Sequence, residues 1–189
     1  MASTDYRFIN RWRVTGTAEE VYRLLDDSQD YVRWWPAVWL KAEVLEPGDE
    51  RGIGKVIRYD SKGWLPYLLN WSSKTKEKEY SSRLAFQALG DFDGEGQWLI
   101  SQNGAEVDIE HHWTIRTNKP ILRYLSFLLK PLFAANHRWA MARGEESLKL
   151  ELARQHATSD AERAKVPTPP RATFMSESRR KALGFSAGS

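Results

Sequence analysis

The chain has 189 residues, of which 41% are hydrophobic and 28% charged, and it contains no cysteine. These values fit one globular domain of ordinary size, and the lack of cysteine excludes a disulfide scaffold, a thiol nucleophile and thiolate metal ligands. Of the 28 basic and 25 acidic side chains, six and three lie in residues 157–189, which leaves 22 of each in residues 1–156. A neutral domain has no general attraction to phosphates, so we expect no nucleic-acid partner.

The N-terminal residues 1–8 include Asp5 and Arg7 and lack the apolar run of a secretory signal. Together with the absence of cysteine, this predicts a cytoplasmic protein. The most apolar stretch, residues 121–135, is too short to span a bilayer and contains Arg123. The sequence therefore predicts no transmembrane helix.

The first elements are a strand and two short helices. Residues 5–14 alternate with period two, which predicts a half-buried strand whose apolar face carries Tyr6, Phe8, Trp12 and Val14. Thr17 and Glu20 have the spacing of a capping box for a helix over 18–26. A second short helix is predicted over 28–34, since Pro36 follows.

Six further strands are predicted, separated by turn-forming residues. Asn103-Gly104 stands between two alternating runs, which is a strong hairpin signal. Residues 91–96 resemble the start of a calcium loop, but Gln102 replaces the required Glu, so we interpret them as a turn. The predicted strands cover 38–46, 54–61, 67–76, 82–89, 96–102 and 105–116.

The period becomes helical after Pro120. Residues 121–129 are apolar on nearly every side, and Pro131 is predicted to start a long helix reaching about Gln155. Residues 157–189 are predicted to be a disordered basic tail, with a short helix at 177–183 as an option. The long helix carries one stripe at three- and four-residue spacing: Phe133, His137, Met141, Gly144, Leu148 and Leu152.

Several motifs in this order resemble the START-like, or SRPBCC, superfamily, in particular its polyketide cyclase/dehydrase and lipid-transport group. The similarity covers roughly residues 5–153. The motifs are Tyr31-Val-Arg-Trp-Trp-Pro36, Gly52-Ile-Gly54, Gly63-Trp-Leu-Pro-Tyr67 with Trp71, Gly90-Asp-Phe-Asp-Gly-Glu-Gly96 with Trp98, and Asn136-His137 through Met141 to Gly144-Glu145.

The resemblance implies an α+β helix-grip fold, in which a curved antiparallel sheet of about seven strands wraps around a long C-terminal helix, with two short helices after the first strand. It also implies a cavity for hydrophobic small molecules such as lipids, polyketides or aromatic compounds. The ligand-binding domain would span 1–156 and the tail 157–189. Activity within this superfamily is scattered, and a fold does not fix a function.

All nine tryptophans lie in residues 1–139. They either fill the core or line a cavity, where flat rings suit ring-bearing or acyl ligands. Trp71, Trp98 and Trp113 are our candidate wall residues.

His137 shares the apolar stripe of the long helix with Phe133 and Met141, and Asn136 borders that stripe. His137 is either a structural histidine or a group that orients a ligand or acts as acid or base. His111 lies on the same strand face as Trp113 and is a further ligand candidate, whereas the next residue points the opposite way. We expect no metal and no cofactor.

Arg58 is a second catalytic candidate. If its strand face is inward, it could stabilise negative charge on a ligand; the alternative is an ion pair with a carboxylate such as Glu145.

The sequence leaves three functions open. The first is binding of a hydrophobic small molecule. The alternative is a polyketide cyclase or dehydratase that uses His137 as acid or base, although no carboxylate pairs obviously with it. The second alternative is a lipid carrier that docks on membranes through residues 121–129 and the basic tail. The favoured interpretation of residues 121–129 is instead a helix buried at the rim of the sheet. The sequence also leaves the oligomeric state open.

Overall fold

The structure is a computed structural model that describes residues 5–117 and 120–173, with side chains other than those of 5–6, 92, 116–117 and 120–130. Seven strands and the helices follow in the predicted order. The strands are β1 (Asp5–Thr15), β2 (Trp39–Glu46), β3 (Val56–Ser61), β4 (Leu69–Glu79), β5 (Arg83–Gly90), β6 (Phe92–Asn103) and β7 (Glu106–Thr117). The helices are α1 (Ala18–Asp26), a 3₁₀ turn (Ser28–Asp30), α2 (Tyr31–Trp34), α3 (Pro120–His156) and α4 (Asp160–Lys165).

The strands form one antiparallel sheet in the order β1-β7-β6-β5-β4-β3-β2. Every neighbour pair except β1–β7 is consecutive in sequence, so hairpins build most of the sheet. The first strand then pairs with the last, with Trp12 opposite Ile109. The sheet wraps around α3, which confirms the predicted helix-grip architecture.

Local sequence signals explain the short helices. The hydroxyl of Thr17 accepts a hydrogen bond from the backbone N–H of Glu20 (3.2 Å), and the Glu20 carboxylate accepts one from the N–H of Thr17 (2.8 Å). The predicted capping box is therefore present, and it starts α1. The predicted second helix is a 3₁₀ turn followed by one turn of α-helix.

The long helix differs from the prediction at its start. Pro131 lies inside α3, which already begins at Pro120. Proline inside a helix removes one backbone donor and crowds the carbonyl four residues earlier, yet α3 continues through Pro131. The buried stripe follows the predicted spacing, and Leu148 and Leu152 are almost completely buried.

A buried carboxylate joins the helices. The Glu151 side chain on α3 is 5% exposed and accepts two hydrogen bonds from the Arg33 guanidinium, both 2.9 Å long. Arg33 also pairs with Asp30 at 2.6 Å. These bonds hold the pKa of Glu151 below its usual value although burial acts against them, and they fix α2 on the C-terminal half of α3.

The chain reverses between β5 and β6 at Gly90 and Asp91, so the predicted turn over 91–96 is present only at its start, and residues 92–96 already belong to β6. A Cβ at Gly96 would stand 2.3 Å from the Phe86 ring and 2.6 Å from the Trp113 ring. A Cβ at Gly94 would stand 2.1 Å from the Thr114 carbonyl oxygen. The two glycines therefore allow close packing within the sheet and do not mark a chain reversal.

The predicted disorder of 157–189 does not hold for 157–173. Ser159 caps α4 by accepting a hydrogen bond from the N–H of Glu162, and Thr173 bonds to the loop after β3. The predicted helix at 177–183 lies outside the described residues, and the domain boundary at 156 stays a prediction. No described helix in 5–117 or 120–173 has the length and hydropathy that crossing a membrane requires.

Candidate functional site

A cavity of about 610 Å³ lies between the sheet and α3. Its wall takes residues from all seven strands and from α3, and most of it is apolar. All eight residues that the sequence singled out for ligand binding are on this wall: Trp71, Trp98, His111, Trp113, Phe133, Asn136, His137 and Met141. That a ligand touches them remains a prediction.

Aromatic rings form one continuous side of the cavity. Trp39 lies 4.7 Å from Tyr59 and 5.6 Å from Trp71, measured between ring centroids, and Trp71 lies 5.6 Å from Trp113. The rings are tilted or edge-to-face, as aromatic pairs prefer. Because neighbouring rings contact one another, this wall is a preformed aromatic surface made of rings tilted against each other.

Two hydrogen bonds fix polar atoms in the aromatic wall. The indole N–H of Trp71 donates to Ser61 (2.9 Å), and the Tyr59 hydroxyl donates to Ser28 (2.9 Å). Burial raises the pKa of Tyr59 to about 12. These aromatic residues of the wall therefore carry no charge over the physiological pH range.

His137 projects from α3 and is held by two residues of β1. Its ring stacks on Phe8 with centroids 4.1 Å apart, and its Nε2 accepts a hydrogen bond from the Asn10 side-chain amide (2.9 Å). Since an amide nitrogen can only donate, the proton of neutral His137 lies on Nδ1. Burial, and to a lesser extent the Arg138 charge, lower the pKa of His137 to about 4.

His111 lies deeper in the same wall. Its ring is 4.1 Å from Trp98 and 6.4 Å from His137, measured between centroids, and its Nδ1 is buried without a hydrogen-bond partner among the described residues. Burial, with a smaller contribution from His137, lowers its pKa well below the usual value. Both cavity histidines are therefore neutral at pH 7.

The side chain of Asn136 hydrogen-bonds within the protein. Its side-chain oxygen accepts a hydrogen bond from the backbone N–H of Leu65 (3.1 Å), and its amide group packs directly against Gly63. The loop that carries Gly63 and Leu65 joins β3 to β4 and lines the cavity. Asn136 thus holds this loop against α3.

Arg58 is not part of the site, which corrects the inward-facing alternative. Its side chain is 53% exposed and pairs with Glu43 on β2 at 2.7 Å, and Glu145 instead pairs with Lys149. The buried face of β3 carries Ile57, Tyr59 and Ser61. The predicted ion pair of Arg58 is present, but its partner is Glu43 and not Glu145.

Three residues at the site were not predicted. Asn10 lies at the centre of the apolar face of β1, and a polar residue in that alternation was a usable signal. Tyr59 lies on the same buried face of β3 as Ile57 and Ser61, so the alternation of that strand was a usable signal for it. Lys62, 4% exposed and on the cavity wall, has no sequence signal.

His112 faces away from the cavity and lies 2.9 Å from Glu110. Across the described parts of the chain, no three His, Cys, Asp or Glu side chains are placed to hold a metal ion.

Solved structures share this architecture. An aromatase/cyclase, Zhui, from a Streptomyces species matches with a TM-score of 0.63 at 16% identity, over 82% of this chain and 98% of its own. The chain has the START-like helix-grip fold. A START superfamily protein from Mycobacterium smegmatis matches with a TM-score of 0.58 at 14% identity, over 75% of this chain and 98% of its own.

A third structure with this START-like fold, from Thermus thermophilus, is 21% identical and has a TM-score of 0.61, over 76% of this chain and 97% of its own. No protein-family model matches the chain, and no curated protein does.

Proposed function

We propose that the protein binds a hydrophobic small molecule with fused or linked aromatic rings in the cavity. The observation that carries this is the aromatic wall around about 610 Å³ of space, a volume typical of sites for drug-sized ligands. The similarity of fold to an aromatase/cyclase supports the same ligand class.

The aromatic and histidine part of the wall favours a neutral group of the ligand, whereas Lys62, Asp26 and Asp91 are the charged residues that also line the cavity. The two histidines are neutral at pH 7, the Tyr59 hydroxyl stays protonated, and Arg58 lies outside. A neutral polar acceptor on the ligand, such as a carbonyl or phenol oxygen, suits the Nδ1–H donor of His137, since its Nε2 already accepts from Asn10.

Native mass spectrometry of the protein purified from its own host tests the proposal. An apolar adduct, extracted and identified, is the expected result. A clean apo mass, with no uptake from a panel of fatty acids, quinones and aromatic polyketides, would contradict it.

A cyclase or dehydratase that uses His137 is the second candidate, and the pair of cavity histidines supports it. A pKa of about 4 leaves roughly one His137 in a thousand protonated at pH 7, so His137 would not act as an imidazolium acid. To act as a base, its Nε2 would have to exchange the Asn10 amide for the substrate. His137→Gln should then abolish turnover and leave affinity within a few-fold. Unchanged turnover would remove His137 from the reaction.

The membrane-carrier alternative stays a prediction. Residues 121–129 belong to α3, and their side chains lie outside the described ones. Flotation with anionic liposomes, with an Arg163→Gln, Lys165→Gln variant of the tail as control, would test it.

A further inference from the structure

The segment that follows α4 returns to the cavity wall. The hydroxyl of Thr173 donates a hydrogen bond to the backbone carbonyl of Trp64 (3.4 Å). The Lys62 ammonium donates to the backbone carbonyl of Thr173. Lys62 lines the cavity, so one side chain touches both the ligand space and the C-terminal segment.

The other end of this segment is fixed on α3. The Arg154 guanidinium donates a hydrogen bond to the carbonyl of Pro167 (2.8 Å), and Asn136, which holds the β3–β4 loop, is 18 positions earlier on the same helix. That spacing corresponds to about 27 Å along a helix. Residues 167–173 reach about 19 Å in an extended polyproline conformation, and the side chains of Arg154 and Lys62 cover the rest.

The composition of this segment suits a stiff connection. Pro167, Pro169 and Pro170 restrict the backbone before the segment folds, so ordering it costs less conformational entropy than ordering a flexible linker. Prolines within the tail that the sequence predicted to be disordered thus stiffen a short connection between two fixed points.

The β3–β4 loop (residues 62–68) is consequently held from two sides. Asn136 of α3 binds it through Leu65, and Thr173 binds it through Trp64 and Lys62. Of these, the Thr173 contacts belong to a segment, residues 166–173, in which no residue is buried. They are the bonds that open at the lowest cost.

We propose that residues 166–173 form a C-terminal strap that closes the β3–β4 loop over the cavity and sets the rate at which ligands exchange. The inference rests on the proposed function, because it assigns a gate to the same cavity. A gate of this kind changes the barrier to exchange and leaves the affinity unchanged.

The full-length chain offers a direct test of strap position. It has no cysteine, so Ala172→Cys can be labelled with bimane, which a nearby tryptophan quenches. We expect quenching by Trp64 that Thr173→Val relieves. Trp64→Phe is the matched control, because it removes the quencher and keeps the backbone carbonyl that Thr173 binds.

The second measurement is stopped-flow exchange of Nile red with unlabelled protein. Loss of one hydrogen bond should make Thr173→Val exchange roughly three- to tenfold faster, in association and dissociation alike, with Kd unchanged. Relieved quenching with unchanged rates would refute the gate, and so would quenching that Thr173→Val does not relieve. A shift in dissociation alone, with a weaker Kd, would show a direct ligand contact instead and refute it too. A wild-type protein that takes up no Nile red and none of the compounds in the mass-spectrometry panel would refute the proposed function and the gate with it.

Discussion

The neutral state of His137 makes folding stability depend on pH. Its pKa is about 4 in the folded protein against 6.5 for an ordinary histidine. Below pH 6.5 the unfolded chain binds a proton that the folded protein resists, so stability is complete above that pH and falls as the pH drops toward 4. With these two values, the loss from about pH 7.5 to about pH 5 is about 2 kcal/mol.

Urea unfolding of the wild type and His137→Gln at both pH values measures this loss. The wild type should lose about 2 kcal/mol more than the variant between them, because titration of the groups that do not interact with His137 cancels in the comparison. Met141→Leu, one turn further along the same wall of the cavity, removes no titratable group and should keep the wild-type pH dependence. Equal losses in the wild type and His137→Gln would refute the burial argument.

Three further outcomes follow from described contacts. Glu151→Gln should lower the free energy of unfolding by about 1–3 kcal/mol in urea titrations, because it weakens a bidentate pair whose Arg33 half is exposed; a change below a few tenths would contradict it. Gly96→Ala should cost about 1–3 kcal/mol and weaken Nile red binding, since the new methyl displaces two wall rings; unchanged affinity would show that these rings do not contact the probe. Arg58→Ala should leave Nile red affinity unchanged, because its ion pair lies on the outer face, and a large loss would place Arg58 back in the site.

The sequence predicts this fold well where buried residues recur at a regular spacing. Strand β7 was expected at 105–116 and lies at Glu106–Thr117, because alternating apolar residues have a single arrangement that buries one face. Gly104, with a φ of +63°, forms the predicted hairpin turn. The same parity placed His111 and Trp113 on the cavity wall.

Misses occurred where the deciding contact is distant in sequence. Gly96 has the local appearance of a turn residue, and only the rings of two neighbouring strands show why a side chain is excluded. The face of Arg58 was left open between the cavity and an ion pair, and the burial of Ile57 and Tyr59 settles it as outward. Thr173 bonds to a loop 109 residues earlier, which no local pattern reveals.

The pairing of the first strand with the last also affects how the chain folds during synthesis. Arg11 bonds to Glu110, 99 residues later, so β1 has no sheet partner until β7 leaves the ribosome. At about 5–20 residues per second, that delay is roughly 5–20 s. During this time Phe8, Trp12 and Val14 form an unpaired apolar strand that can associate with other chains. We therefore expect the nascent chain to expose an apolar strand for longer than a protein built only from consecutive hairpins does.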